Sequence, residues 1–264
     1  MARGLRIDRA AAVGATILDN AAIIALSRLI AQENATDVRA NNIANASTPG
    51  FRASRMMFSD YLARQTGAKT APGGLILSYA QDRATYRDQT IGAISETGNP
   101  LDLALSTDGY FTVQTAAGVR LTRAGHFELG GDGTITDQNG DALLDTDGRP
   151  LLLAAGDTDP TIAGDGTIAT ANGTIGKIAV VTPNDPTGLQ AEGNSLLVAA
   201  GGTTAVATPK VIQGAIEQSN VEPITETTAM MTELREFQFV TEMVEAEGTR
   251  EQNAIDKLTA PAST

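Results

Sequence analysis

The sequence predicts a mainly β protein with a long α-helix at each end, the two helices pairing as a coiled coil beside a central antiparallel β domain. Three observations carry this. An apolar stripe near the N-terminus recurs with a period of 3.6, a heptad seam runs near the C-terminus, and between them the alternation has a period of two, broken by Asn-Gly and Asp-Gly turns.

The first helix is expected from a cap at Asp19 or Asn20 to about Asn45. Ile23, Ile24, Ile30, Ala31, Ala35 and Val38 share one stripe. Thr48-Pro49-Gly50 stops it, because proline disfavours a helical residue before it and glycine permits a positive φ after it. The stripe is narrow and Ala-rich, so the helix requires a partner.

In the middle, Leu101–Ser106 and Tyr110–Gln114 alternate between apolar and polar. Turn signals follow at Asp108-Gly109, Gly130–Gly133, Asn139-Gly140, Asp147-Gly148, Gly164–Gly166 and Asn172-Gly173, with later strands at Ile178–Val181 and Ser195–Val198. Near the other end Met230, Leu234, Phe237, Thr241, Val244, Gly248, Glu251, Ile255 and Leu258 step by four and three without a slip. Such a seam suits a helix that partners the first one or a neighbouring subunit.

Composition narrows the function. The 264 residues allow one large domain or two modest ones. With 19 basic and 31 acidic side chains the formal charge is −12, which disfavours nucleic-acid binding. The excess is uneven: residues 1–60 carry +2 and residues 221–264 carry −6, so the two ends can attract each other. The absence of Cys removes disulfides, thiol catalysis and thiolate metal sites. No apolar run approaches the roughly 20 residues of a membrane span. Tryptophan is absent and aromatics are few, leaving Leu, Ile, Val and Ala to build the core.

Little in the chain points to chemistry. Asp145-Thr146-Asp147-Gly148 and Gly130-Gly131-Asp132-Gly133 each echo part of a calcium loop, but the remaining ligands are missing and hairpin turns account for both. His126 is the single histidine and reads as a strand-end residue with a structural hydrogen bond. Asn45-Ala46-Ser47 and Asn172-Gly173-Thr174 fit the glycosylation pattern, which is frequent by chance. No catalytic residue, cofactor or metal site is expected.

Two stretches say more. Residues Ala40-Asn41-Asn42-Ile43-Ala44-Asn45-Ala46-Ser47-Thr48-Pro49-Gly50-Phe51 resemble the N-terminal signature of flagellar rod, hook and hook-associated proteins. Gly98-Asn99-Pro100-Leu101-Asp102, Asp108–Val113 and Leu121-Thr122-Arg123-Ala124-Gly125-His126-Phe127 resemble the β-domain signature of the same family, and Gln218-Ser219-Asn220-Val221 opens the C-terminal helix as that family does. Within it Ser47–Phe51 and Leu234-Arg235-Glu236-Phe237 are most similar to a proximal-rod subunit, while Phe58–Leu62 is similar to the distal rod. Gln238 and Gly248 depart from the family pattern, and Gly248 costs up to about 1 kcal/mol of helix propensity.

The resemblance implies a structural subunit of the periplasmic rod of the flagellar basal body, which transmits torque. It implies an inner layer of paired terminal helices with the β domain outside, and a helical filament built by a heterologous contact that does not close. Partners would be other rod subunits, further copies of the chain, and the flagellar type III export apparatus, through which the chain leaves the cytoplasm without a cleavable signal. No nucleic acid, membrane insertion or small-molecule substrate is implied. A distal-rod subunit is the alternative, and a secreted β-rich binding protein or wall hydrolase a remote one. Assembly contacts are expected at Ile24, Ala31, Val38, Asn41, Asn42, Asn45, Gly50, Phe51, Met230, Leu234, Phe237, Val244, Ile255 and Leu258. The expected division is an extension at 1–17, a helix and signature segment at 18–74, a β domain at 75–215 and a helix and tail at 216–264. Leu18-Asp19-Asn20-Ala21-Ala22-Ile23-Ile24-Ala25-Leu26-Ser27 matches the family's usual opening, so residue 18 is the expected native start.

Overall fold

The computed structural model describes residues 7–65, 75–154, 156–157, 160–193 and 195–259. Helix α1 spans Ile7–Ala44 and helix α2 spans Pro223–Thr259, and the described residues between them form eighteen strands, the longest Ser54–Gln65 and Leu75–Arg87. The fold is mainly β with a helix at each end, as the two periodicities require.

Helix α1 corrects one expectation. Asp19 and Asn20 do not cap it but lie inside, because helix-favouring alanines at 10–12 and 15 carry the helix back to Ile7. Its C-terminal end is as read, with Asn45 and the turn after it breaking the ladder. Helix α2 opens with Pro223 in its first turn, where no amide donor is needed, and Glu226 follows at the positive end of the helix dipole.

The chain divides into two compact units that interleave along the sequence. One takes Met1–Ala40, Met56–Thr85 and Ile224–Thr264, and holds most of both helices. The other takes Asn41–Arg55 and Tyr86–Pro223.

In the β unit the largest sheet has nine strands, with order 189–193, 196–199, 118–122, 110–115, 142–143, 135–137 and 127–129; strand 180–183 joins 110–115 and carries 203–205. A three-stranded sheet of 161–162, 167–170 and 173–177 stands separately. Two pairings tie the end of the unit to its beginning: 103–105 with 211–213, and 94–96 with 215–217. All neighbours are antiparallel. The core gathers Leu103, Phe111, Val113, Phe127, Ile135, Leu143, Ile168 and Ile178. Phe111 and Phe127 meet edge to face at 5.5 Å. Each such side chain contributes about 1.5–3 kcal/mol by leaving water.

The turns use their acids as acceptors. The Asp145 carboxylate takes the amides of Asp147 and Arg149, and that of Asp132 takes the Thr134 amide and hydroxyl. Both calcium-like stretches are therefore engaged in hairpin geometry. His126 Nδ1 lies 2.7 Å from the buried Asp102 carboxylate across an antiparallel bridge.

Candidate assembly surface

The helical unit joins its two helices through charge. Arg39 of α1 donates to Glu233 at 2.7 Å and to Glu226 at 3.1 Å. Gln32 and Arg28 reach Glu236 at 3.2 and 3.5 Å. Higher numbers on α2 meet lower numbers on α1, so the contacts run antiparallel. This is the attraction anticipated between a near-neutral first segment and an acidic last one. Burial draws the Arg39 guanidinium down, but the bonds and charge of Glu233, then Glu226, outweigh it and hold Arg39 above the usual arginine range.

Between the ion pairs, small residues face inward. Ala25, Ala31 and Ala35 are buried on α1 and Val240 on α2, with Met230 half-buried. Val38 is half-buried, whereas Ile30 of the expected stripe is half exposed. The inward face of α2 is also rotated from the seam read in the sequence: it carries Glu226, Glu233 and Val240, which spacing of apolar residues alone could not reveal because two of them are acids. Leu234, Phe237, Val244 and Ile255 stay exposed in the single chain, as do Phe239 and Met243. The side chains of Ile24 and Leu258 lie outside the described residues. Phe239, Val240 and Met243 line an open, mostly apolar groove of about 530 Å³ with Ala25, Arg28, Arg235 and Glu236. The pair of helices thus leaves several large apolar side chains exposed in the single chain.

In the β unit the Asn-rich segment makes a turn. The Asn42 side chain, almost wholly buried, pairs with the backbone of Ser54: its amide donates to the carbonyl at 2.9 Å and its oxygen accepts the amide at 2.8 Å. Asn45 donates to the Asn41 carbonyl, and the Thr48 hydroxyl donates to Asn45. Asn41 itself is exposed. Gly50 has φ +69°, and a Cβ there would overlap the backbone of Arg123 and Ala124. Phe51 then packs on Ala53 and Val221, beneath the Arg87 guanidinium. Asn220 closes the turn by accepting the Ala53 amide at 2.7 Å and donating to Thr90.

Behind this turn lies a buried charge cluster absent from the sequence reading. Arg123 donates to the carbonyls of Leu105, Gly109 and Thr107 and to Glu217 at 2.6 Å. Glu217 also accepts the Gly92 amide and lies 3.8 Å from Arg52. The Tyr110 hydroxyl donates to Gln89, and the Arg52 and Arg123 guanidiniums lie over its ring. Burial pulls Arg123 below its usual value, with Glu217 opposing. The signal available was a second arginine, Arg123, just past the strand that carries Arg120, which must be paired once buried.

Three family models match in chain order: the flagella basal body rod protein over residues 24–52, the flagellar hook protein FlgE/F/G D1 domain over 104–203, and the flagellar basal body rod FlgEFG protein C-terminal over 212–256. The flagellar basal-body rod protein FlgF of Caulobacter vibrioides is 30% identical over 91% of this chain and 98% of its own length. The chain belongs to the flagellar basal-body rod protein family. The FlgF of Mesorhizobium japonicum is 32% identical over 89% of the chain and 96% of its own length, and the FlgG of Bacillus subtilis 32% over 76% and 85%. The first rod-family match covers the segment from the exposed face of α1 to the Gly50 turn, and the third covers nearly all of α2. FlgF is the better supported likeness, since it spans more of both chains.

Proposed function

We propose that the protein is a structural subunit of the proximal rod of the flagellar basal body, assembling with other rod subunits and with itself into the shaft that transmits torque. The observation that carries this is the alignment with FlgF relatives along 96–98% of their own lengths. The helical unit supports it: α1 and α2 pair by ions and small residues, and leave apolar rows that a neighbouring subunit's helices would cover. In the assembled rod α1 and α2 pair as a coiled coil in the inner layer, and Ala31, Val38, Phe237, Val244 and the Asn42–Phe51 turn contribute contacts. The chain leaves the cytoplasm through the flagellar export apparatus without a cleavable signal, and acts without catalysis. A distal-rod place is the second reading, favoured by the 32% identity to a FlgG.

Deletion of the gene should abolish swimming, and complementation with an epitope-labelled chain should place label in the proximal part of isolated rods. Label confined to the distal part would select the second reading. Wild-type swimming in the deletion strain would overturn the rod function altogether.

A further inference from the structure

The β unit holds a recess of about 290 Å³ lined by Asn41, Phe51, Arg52, Arg87, Tyr110 and Arg123. Among the described residues no Asp or Glu lines it. In a chain of net charge −12, a hollow walled by three arginines and no acid reverses the sign locally. Glu217, behind the wall, is taken by Arg123 at 2.6 Å and stands 3.8 Å from Arg52, so it offsets one positive charge of the three. Asp88, next to Arg87 in sequence, pairs with Arg55 instead.

Donors at the recess outnumber acceptors. Arg52 is only 3% exposed, yet its Nε and Nη2 have no hydrogen-bond acceptor, while Nη1 donates to Gln89 and lies 3.5 Å from the Tyr110 hydroxyl. Arg87 spends Nη1 on the Arg52 carbonyl, and among the described residues its Nε and Nη2 have no acceptor and no carboxylate pairs with it. Burial draws the Arg87 guanidinium below the usual arginine range, and only Tyr110 opposes this. Arg123 is also drawn down by burial; Glu217 opposes, and the charge of Arg52 pushes the same way as burial. The Asn41 side chain and the Ser195 hydroxyl, which also border the recess, make no hydrogen bond among the described residues. A guanidinium taken out of water without an anion is costly, and its fork of parallel N–H groups matches the paired oxygens of an oxyanion. The deficit is present in the single chain, so the ion that cures it comes from solution and does not await assembly. We propose that the Arg52–Arg87–Arg123 recess binds a small free oxyanion of the phosphate type. Arg87 holds it, with Asn41 and Ser195 at the mouth, and Arg52 and Arg123 supply positive charge from behind. Because these residues come from the turn after α1, the end of strand Leu75–Arg87 and the main sheet, the bound ion ties three segments of the β unit together.

Inorganic phosphate titrated into the purified full chain by calorimetry, with sodium chloride holding the ionic strength constant, tests this. One saturable site with a Kd of about 1 mM or below is expected. Phosphate at about 20 mM should then raise the thermal midpoint by roughly 4 °C over chloride, because a ligand that binds only the folded state stabilises it. Arg87→Gln should weaken binding about tenfold or more, and Arg87→Lys, which keeps the charge but loses the fork, about threefold. Lys210→Gln, at an exposed position, should leave it unchanged. If Arg87→Gln fails to fold, judged by its midpoint in chloride, Asn41→Asp takes its place: a carboxylate at the mouth should repel phosphate and cost about tenfold. No saturation beyond the chloride effect, or an unaltered affinity in the folded variant, would overturn the proposal. An equal loss in Lys210→Gln would reduce the effect to general screening and overturn it as well. A chain indifferent to phosphate whose content in isolated basal bodies falls with Arg87→Gln would assign the recess to a neighbouring subunit's carboxylate, again against a free ion.

Discussion

Gly50 and Asn42 show how single positions set the path of the chain between helix and sheet. Gly50 adopts φ +69° with its α-carbon against the Arg123 backbone, so Gly50→Ala meets both a conformational penalty and an overlap that no side-chain rotation relieves. It should destabilise the β unit by more than about 2 kcal/mol, read as a fall in denaturation midpoint. Asp88 offers a test in pH. Hydrogen bonding from the Thr90 hydroxyl, against the cost of burial and helped by the Thr90 amide and Arg55, holds its carboxyl below the usual value. A carboxyl depressed on folding adds stability above its unfolded value of about 3.9, and loses it as pH falls through the folded value. Wild type should therefore exceed Asp88→Asn in stability at pH 6, and the gap should close as pH falls below about 4. A gap unchanged by acid would contradict the pairing. The Asn-Gly and Asp-Gly turns were legible because their chemistry is local. Glu217 was not, since its partner Arg123 lies 94 positions away and the two meet only in the folded β unit.

At the level of elements, period decides type and partner decides face. Periods of 3.6 and two marked the terminal helices and the central strands, whereas the long strands Ser54–Gln65 and Leu75–Arg87 were not read. Which face of α2 turns inward did not follow, because Arg39 recruits Glu226 and Glu233 and so rotates the helix away from its most apolar side. The start of α1 also moved, as alanine propensity overrode a capping residue that had no reason to act inside an unbroken helix. Gly248 gives the prediction at this scale. A Cβ there meets nothing within 4 Å, so Gly248→Ala should raise the helicity of the full chain and stabilise α2 by roughly 1 kcal/mol in circular dichroism melts. Unchanged or lower helicity would mean that Gly248 is packed closely in the free chain.

At the level of the whole molecule, the isolated chain and the rod place different demands on the same residues. Phe237 is 38% exposed in the single chain, so Phe237→Asp should leave the purified protein folded, with the melt of the β unit unchanged. Buried against another subunit, the same aspartate would be desolvated without a partner, and swimming should be lost. Motility equal to wild type in the complemented strain would remove Phe237 from the contact. The sequence by itself determined the terminal helices, the β middle with its turns, and membership of the rod family, because these rest on periodicity, local turn chemistry and ordered motifs that survive without knowledge of any neighbour. Tertiary structure decided the inward face of α2, the interleaving of two units along one chain, and the Arg52–Arg87–Arg123 recess, because each depends on residues distant in sequence that meet only after the strands and helices have come together.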